Sequence, residues 1–288
     1  MNDSPLPTFL VFGDLHGRVL PAFRFTSYWS RSQHRPVLGL LQVGDLGYFP
    51  NPATMDKATV RHAKDDSLEL GTFDIVSRNS LAESVFEDDP YAPPGLWFTA
   101  GNHEDFDELE RLAGGGRESD FVVDAYCRVR GSKDGRIKRF DCGLRVGAVW
   151  GVDGDGDHCR KSLPPRGYIR EKAVSQLALD EFDVLLTHDA PAGAKRTGYG
   201  SEQVRALIGL RQPSFAFFGH YGGDGRRIDQ DFGRTSVFHL AGFELRTRSG
   251  CPESGSVGVL EQTGHGWVFE FVSDEDLRPF TRHNWKWL

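Results

Sequence analysis

Asp14 and His16 stand two residues apart, directly after the apolar run 9–12, on a turn that Gly13 and Gly17 permit. A carboxylate oxygen beside an imidazole nitrogen is the donor pair that hard-to-borderline divalent metals take. Taken alone the pair says little, because Gly-Asp turns after strands are common. The arrangement recurs, however, along the chain. Run 37–43 ends in Gly44-Asp45-Leu46-Gly47, and run 96–100 in Gly101-Asn102-His103-Glu104. Run 184–187 ends in His188-Asp189-Ala190-Pro191, and run 215–218 in Gly219-His220-Tyr221.

Continuous apolar runs are how buried parallel strands read in sequence. Ligands of open α/β sheets sit at the carboxyl ends of such strands. Five strands that each finish in Asp, Asn or His are therefore expected to deliver those groups to one place in an α/β fold. Each histidine taken singly is most simply a hydrogen-bonded structural residue. The ordered set at strand ends is what points to chemistry.

In this order the five blocks resemble the motif series of the calcineurin-like metallophosphoesterases: GDxH, GD, GNH[ED], a lone His, then GHxH. The resemblance spans residues 13–220. It implies a four-layer α-β-β-α sandwich of two mixed sheets and a binuclear site. Asp45 would bridge two divalent ions, Asp14 and His16 would hold the first, and Asn102, His188 and His220 the second. His103 would act as the catalytic residue, stabilising the transition state or protonating the leaving oxygen. The implied function is a divalent-metal-dependent phosphatase or phosphodiesterase that uses a metal-activated hydroxide. Manganese is the expected metal, with iron or zinc also suited to oxygen and imidazole donors.

The chain departs from the pattern at Gly219-His220-Tyr221-Gly222, where glycine replaces the second histidine, normally a ligand of the first metal. His239 is the candidate substitute, although a structural histidine is the simpler reading there. Gly44-Asp45-Leu46-Gly47 also lacks the GDxVDRG pattern of the Ser/Thr protein phosphatases. Two alternatives stand beside the phosphoesterase reading. One is a nuclease, favoured by the segment 193–228, where six basic residues meet two acidic ones for a net of +4. The other is a catalytically weak relative serving as an interaction scaffold, favoured by Gly222. Partners are thus a phosphate-ester substrate, either a small molecule or nucleic acid.

The 288 residues carry 39% apolar content, enough for a large core, and a net charge of −7, which argues mildly against general nucleic-acid binding. No apolar run approaches the roughly 18 residues needed to span a membrane. The first strand starts near Thr8, leaving no room for a signal peptide before it. Cys127, Cys142, Cys159 and Cys251 have no CxxC spacing, so reduced thiols in a cytoplasmic protein are expected. One domain over 1–288 is expected, with an insertion at about 51–94.

Among the remaining elements, helices are expected over 19–30, 104–113, 171–181 and 201–210, the last capped by Ser201. Residues 56–70 have helical character, and 88–94 must be loop. Strands 121–129 and 136–140 flank Ser132-Lys133-Asp134-Gly135, a hairpin signal. Strands are also expected at 144–150 and 236–241, then a hairpin of 257–261 and 267–272. The acidic run 151–158 looks like a calcium loop but lacks the closing glutamate of an EF-hand.

Overall fold

Strand β1 (Thr8–Phe12) is buried at every residue, because both of its faces are covered. Its side chains alternate between two cores. Phe9 and Val11 join Leu41, Val43, Leu186 and Phe217, whereas Leu10 and Phe12 join Phe23, Phe25 and Phe243. The two-residue period of a strand thus ties one sheet to helices on one side and to a second sheet on the other. The computed structural model describes residues 6–154 and 163–288. Asp155, Asp157, His158 and Cys159 of the sequence analysis lie outside the described residues.

After β1 come α1 (Val19–Gln33), β2 (Gly39–Gln42), α2 (Lys57–His62), α3 (Ser80–Phe86) and β3 (Leu96–Phe98). Then follow α4 (Phe106–Ala113), β4 (Asp120–Val122), β5 (Val129–Ser132), β6 (Arg136–Arg139) and β7 (Arg145–Val149). The chain continues through α5 (Glu171–Leu177), β8 (Val184–Thr187), α6 (Glu202–Arg211), β9 (Phe215–Phe218) and β10 (Arg226–Arg227). It closes with β11 (Ser236–His239), β12 (Val257–Thr263), β13 (Gly266–Phe271) and α7 (Asp274–Leu277).

The seven-stranded sheet runs β13-β12-β1-β2-β3-β5-β4, and the six-stranded sheet β10-β11-β9-β8-β7-β6. Both are mixed: β1, β2 and β3 are parallel, as are β7, β8, β9 and β11, with antiparallel strands at the edges. Between them lies a core of Phe9, Val11, Leu41, Val43, Leu186, Phe215, Phe217 and Phe238. On the outer face of the second sheet, Val204, Leu207 and Ile208 of α6 recur at helical spacing and pack with Ala216 and Phe218. The result is the expected four-layer α-β-β-α sandwich.

Ser201 Oγ accepts from Val204 N at 3.3 Å, the expected cap of α6. The turn at 132–135 forms, with Arg136 N donating to Lys133 O at 3.1 Å, but it is not a hairpin. β5 pairs with β4 in the first sheet and β6 with β7 in the second. Gly135 N donates to Ala148 O and Trp150 N to Asp134 Oδ1, so the turn is committed to β7 and carries the chain between sheets. The insertion also differs from expectation. Its helical stretch is split into α2 and a 3-10 turn at Ser67–Asp74, and α3 follows with Asn79 as its cap. Cys127, Cys142 and Cys251 are free thiols. No helix among the described residues is long and apolar enough to cross a membrane.

Candidate metal centre

Three adjacent strands of the first sheet and two of the second end at the same place. β1 delivers Asp14 and His16, β2 delivers Asp45, and β3 delivers Asn102 and His103. Across the sandwich β8 delivers His188 and β9 delivers His220. His16, Asp45 and His220 all adopt positive φ, at 42°, 53° and 66°. Such conformations are uncommon for residues with a Cβ and cluster where the surroundings hold them for a purpose.

Backbone hydrogen bonds fix these turns to one another. Leu15 N and His16 N both donate to Asp45 O, at 3.0 and 2.9 Å, and Gly17 N donates to Leu46 O at 2.7 Å. Asp45 Oδ1 accepts from Asn102 N at 2.7 Å and His103 N at 2.8 Å. His220 N lies 3.2 Å from each oxygen of Asp14. The glycines of the motifs are required by this closeness. A Cβ on Gly101 would stand 2.1 Å from Asp45 Oδ1, and one on Gly219 only 2.0 Å from Asp14 Oδ1.

Donor atoms of Asp14, His16 and Asp45 all lie within 4.8 Å of one another, a group able to hold a metal ion. Asp45 Oδ2 is 3.3 Å from His188 Nε2, which is also 3.1 Å from Asn102 Oδ1. His188 is fully buried, and its Nδ1 lies 3.1 Å from Val43 O, which orients the ring so that Nε2 faces the group. His220 packs its ring against that of His188 at 4.9 Å. Asp14, His16 and Asp45 form one group of oxygen and imidazole donors that suits divalent ions, with Asn102 and His188 against Asp45 and the ring of His220 against that of His188.

The electrostatics separate the two aspartates. Burial raises Asp14 to about 6, against the pull of His188. Burial acts on Asp45 too, but His188, His103 and His16 together hold it well below the usual carboxylate range. His188 responds in turn: burial opposes its charge, yet Asp45 and Asp14 lift it to about 9. Glu104 accepts from Leu46 N at 2.8 Å and Tyr48 N at 2.7 Å, gripping the Asp45 loop, and burial with Asp45 nearby raises it to about 8.

Three residues of the site carried no role in the sequence reading. Asp56 is an N-cap of α2, accepting from Thr59 N at 2.8 Å, and it also holds His103 Nδ1 at 2.6 Å. Burial would lower His103, but Asp45 and Asp56 outweigh it and lift the imidazole to about 9. Glu104 was visible only as a motif letter. Glu244 follows β11 with no motif at all, and its Oε1 lies 3.8 Å from His16 Nε2.

His239 is buried with both ring nitrogens engaged, Nε2 2.6 Å from Tyr221 O and Nδ1 3.2 Å from Asp224 O. Lys195 Nζ also lies 3.2 Å from Nδ1, and burial and Lys195 lower the ring to about 4. The simpler reading of His239 therefore fits: it braces the loop that contains Gly222. Tyr221 is tied from its other end, its hydroxyl donating to Asp189 Oδ1 at 2.6 Å.

No family model and no curated protein matches the chain. Among solved structures, one superposes with a TM-score of 0.52 at 15% identity, over 93% of this chain and 100% of its own. That likeness shows a shared fold. A 5'-nucleotidase from Candida albicans aligns at TM-score 0.46 and 15% identity, over 99% of this chain and 54% of that one. A conserved uncharacterized protein from Streptococcus pneumoniae, described as a predicted phosphoesterase, aligns at TM-score 0.37 and 10% identity, over 96% and 93%. At those scores neither adds an argument about this chain.

Proposed function

We propose that the protein hydrolyses phosphate esters with the help of two divalent metal ions. The observation that supports this best is the convergence of five strand ends on Asp14 and Asp45, with His16, Asn102, His103 and His188 against Asp45 and His220 against Asp14. Asp14, His16 and Asp45 would hold one ion, and Asp45, Asn102, His188 and His220 the other. Ions bound there supply Lewis acidity to the phosphoryl group and lower the pKa of an attacking water.

His103 is the proton donor to the leaving oxygen. Asp56 holds its Nδ1 and, with Asp45, keeps the ring charged, leaving Nε2 to face the ester. Beside this ring lies a cavity of about 210 Å³ whose charged lining mixes His16, Arg61, His103 and Arg246 with Glu69 and Glu244. Arg61, whose guanidinium meets no carboxylate among the described residues, offers a cation to the substrate's free oxygens.

The test is hydrolysis of p-nitrophenyl phosphate and bis-p-nitrophenyl phosphate by chelator-treated protein to which manganese is returned. Turnover that needs the metal and is abolished by chelator is expected. Turnover that resists chelation, or none with any divalent ion, would overturn the reading.

A further inference from the structure

Gly222 leaves the first ion with Asp14, His16 and Asp45 alone. The backbone at Gly222 is not left-handed, and a Cβ there would meet no atom within 4 Å. A side chain can therefore start there, and the fold does not demand glycine. Something else has made the histidine dispensable. His239 has neither ring nitrogen free, since Nε2 donates to Tyr221 O and Nδ1 faces Lys195 Nζ, so it could serve only by giving up one of them.

The chain after β11 brings another donor. It crosses directly over the end of β1: a Cβ on Gly13 would lie 1.8 Å from Ala241 O, and Phe243 N donates to Asp14 O at 2.8 Å. The next side chain is Glu244. Its Oε1 stands 3.8 Å from His16 Nε2, which is itself 3.9 Å from Asp45 Oδ2. Glu244 is not in the trio whose donors lie within 4.8 Å of one another; it adjoins the trio through His16, and sharing an ion with Asp14 and Asp45 would require its carboxylate to move toward them.

Its carboxylate is oriented from behind. Oε2 is bound by Arg246 Nη1 at 2.6 Å, and Arg246 is anchored in turn by Glu69, which the fully buried Arg18 also holds. One oxygen is thus fixed by a guanidinium while the other faces the candidate ligands, as in metal sites where outer partners orient a coordinating carboxylate. The backbone is specialised here too. Leu245, between Glu244 and Arg246, is buried and held at φ 55°. Left-handed geometry at a branched side chain is costly and persists where the surroundings impose it.

We infer that Glu244, through Oε1, replaces the missing histidine as a ligand of the first metal. This rests on the phosphoesterase reading and deepens it. The first site then contains three carboxylates and one imidazole. Such a harder donor set favours manganese over zinc more than the usual set would.

The test is manganese titration of the chelator-treated full chain, followed by calorimetry and by electron paramagnetic resonance. Wild type is expected to bind two ions. Glu244→Gln should weaken one of them by at least about ten-fold, the scale seen when metal-site partners are lost, and leave the other unchanged. Adding Gly222→His to that variant should recover the lost affinity. Glu244→His, as a second variant, should bind two ions with preference moved from manganese toward zinc. Two ions bound by Glu244→Gln with wild-type affinity, or an unmoved preference in Glu244→His, would overturn the inference alone. Wild type that binds no ion would overturn the phosphoesterase reading with it.

Discussion

Asp14 and Asp45 bring the same group to the same cluster, and their surroundings drive them apart. Asp45 stays ionised because three histidines surround it, whereas Asp14 is raised to about 6 by burial. If Asp45 bridges two ions as proposed, Asp45→Asn should lower the affinity of both together in a metal titration. His103→Ala should leave metal content near that of wild type while turnover falls by about 10²–10⁴-fold, the usual contribution of a proton donor. Loss of an ion from His103→Ala would assign that residue to the ligands instead. His103 carries its charge below about 9 and loses it as pH rises through that value. Bound metal would offset the charge of Asp45, leaving Asp56 as the group that sets the alkaline limb of turnover. Asp56→Asn removes a group that raises His103, so the limb should move to lower pH; an unmoved limb would detach Asp56 from the proton donor.

The insertion between β2 and β3 ties itself to the site by two elements. The start of α2 supplies Asp56 to His103, and the 3-10 turn at Ser67–Asp74 supplies Glu69, which with Asp66 encloses Arg18. Arg18 Nη1 also donates to His16 O at 2.6 Å. Removing one partner of a buried ion pair costs about 3–5 kcal/mol. Arg246 and Arg282 still face these carboxylates. Arg18→Met is therefore expected near the lower end, read by denaturant unfolding. A change below about 1 kcal/mol, the median for exposed pairs, would mean that the network contributes little. The strand ends were legible in the sequence because an apolar run, a small residue and a polar group fall within a few positions. Asp56 was not, since it looks like any helix cap, and neither was Glu244, whose neighbours are 228 positions away in the chain at His16. The turn at 132–135 was misread for a related reason. A local Asp-Gly signal says nothing about which sheet receives the next strand.

The whole sandwich has to assemble before the site exists. Asp14, His16, Asp45, Asn102 and His103 come from one sheet, and His188 and His220 from the other. An α/β fold could be expected from the apolar runs, and its four layers from the resemblance. Pairing order, and the crossing from β5 to β6, are decided by contacts far apart in the chain. Phe217, buried between the sheets, should cost about 3–5 kcal/mol when changed to Ala, and metal affinity should fall with it because the two ligand sets lose their common support. Unchanged affinity in a destabilised Phe217→Ala protein would show that the sheets do not position the ligands jointly. Six residues of both sheets would hold two ions with Asp45 between them. Anomalous diffraction from manganese-soaked crystals tests it most directly. Two peaks about 3.5–4 Å apart, both within coordination distance of Asp45, are expected; a single peak, none, or peaks away from Asp45 would contradict it.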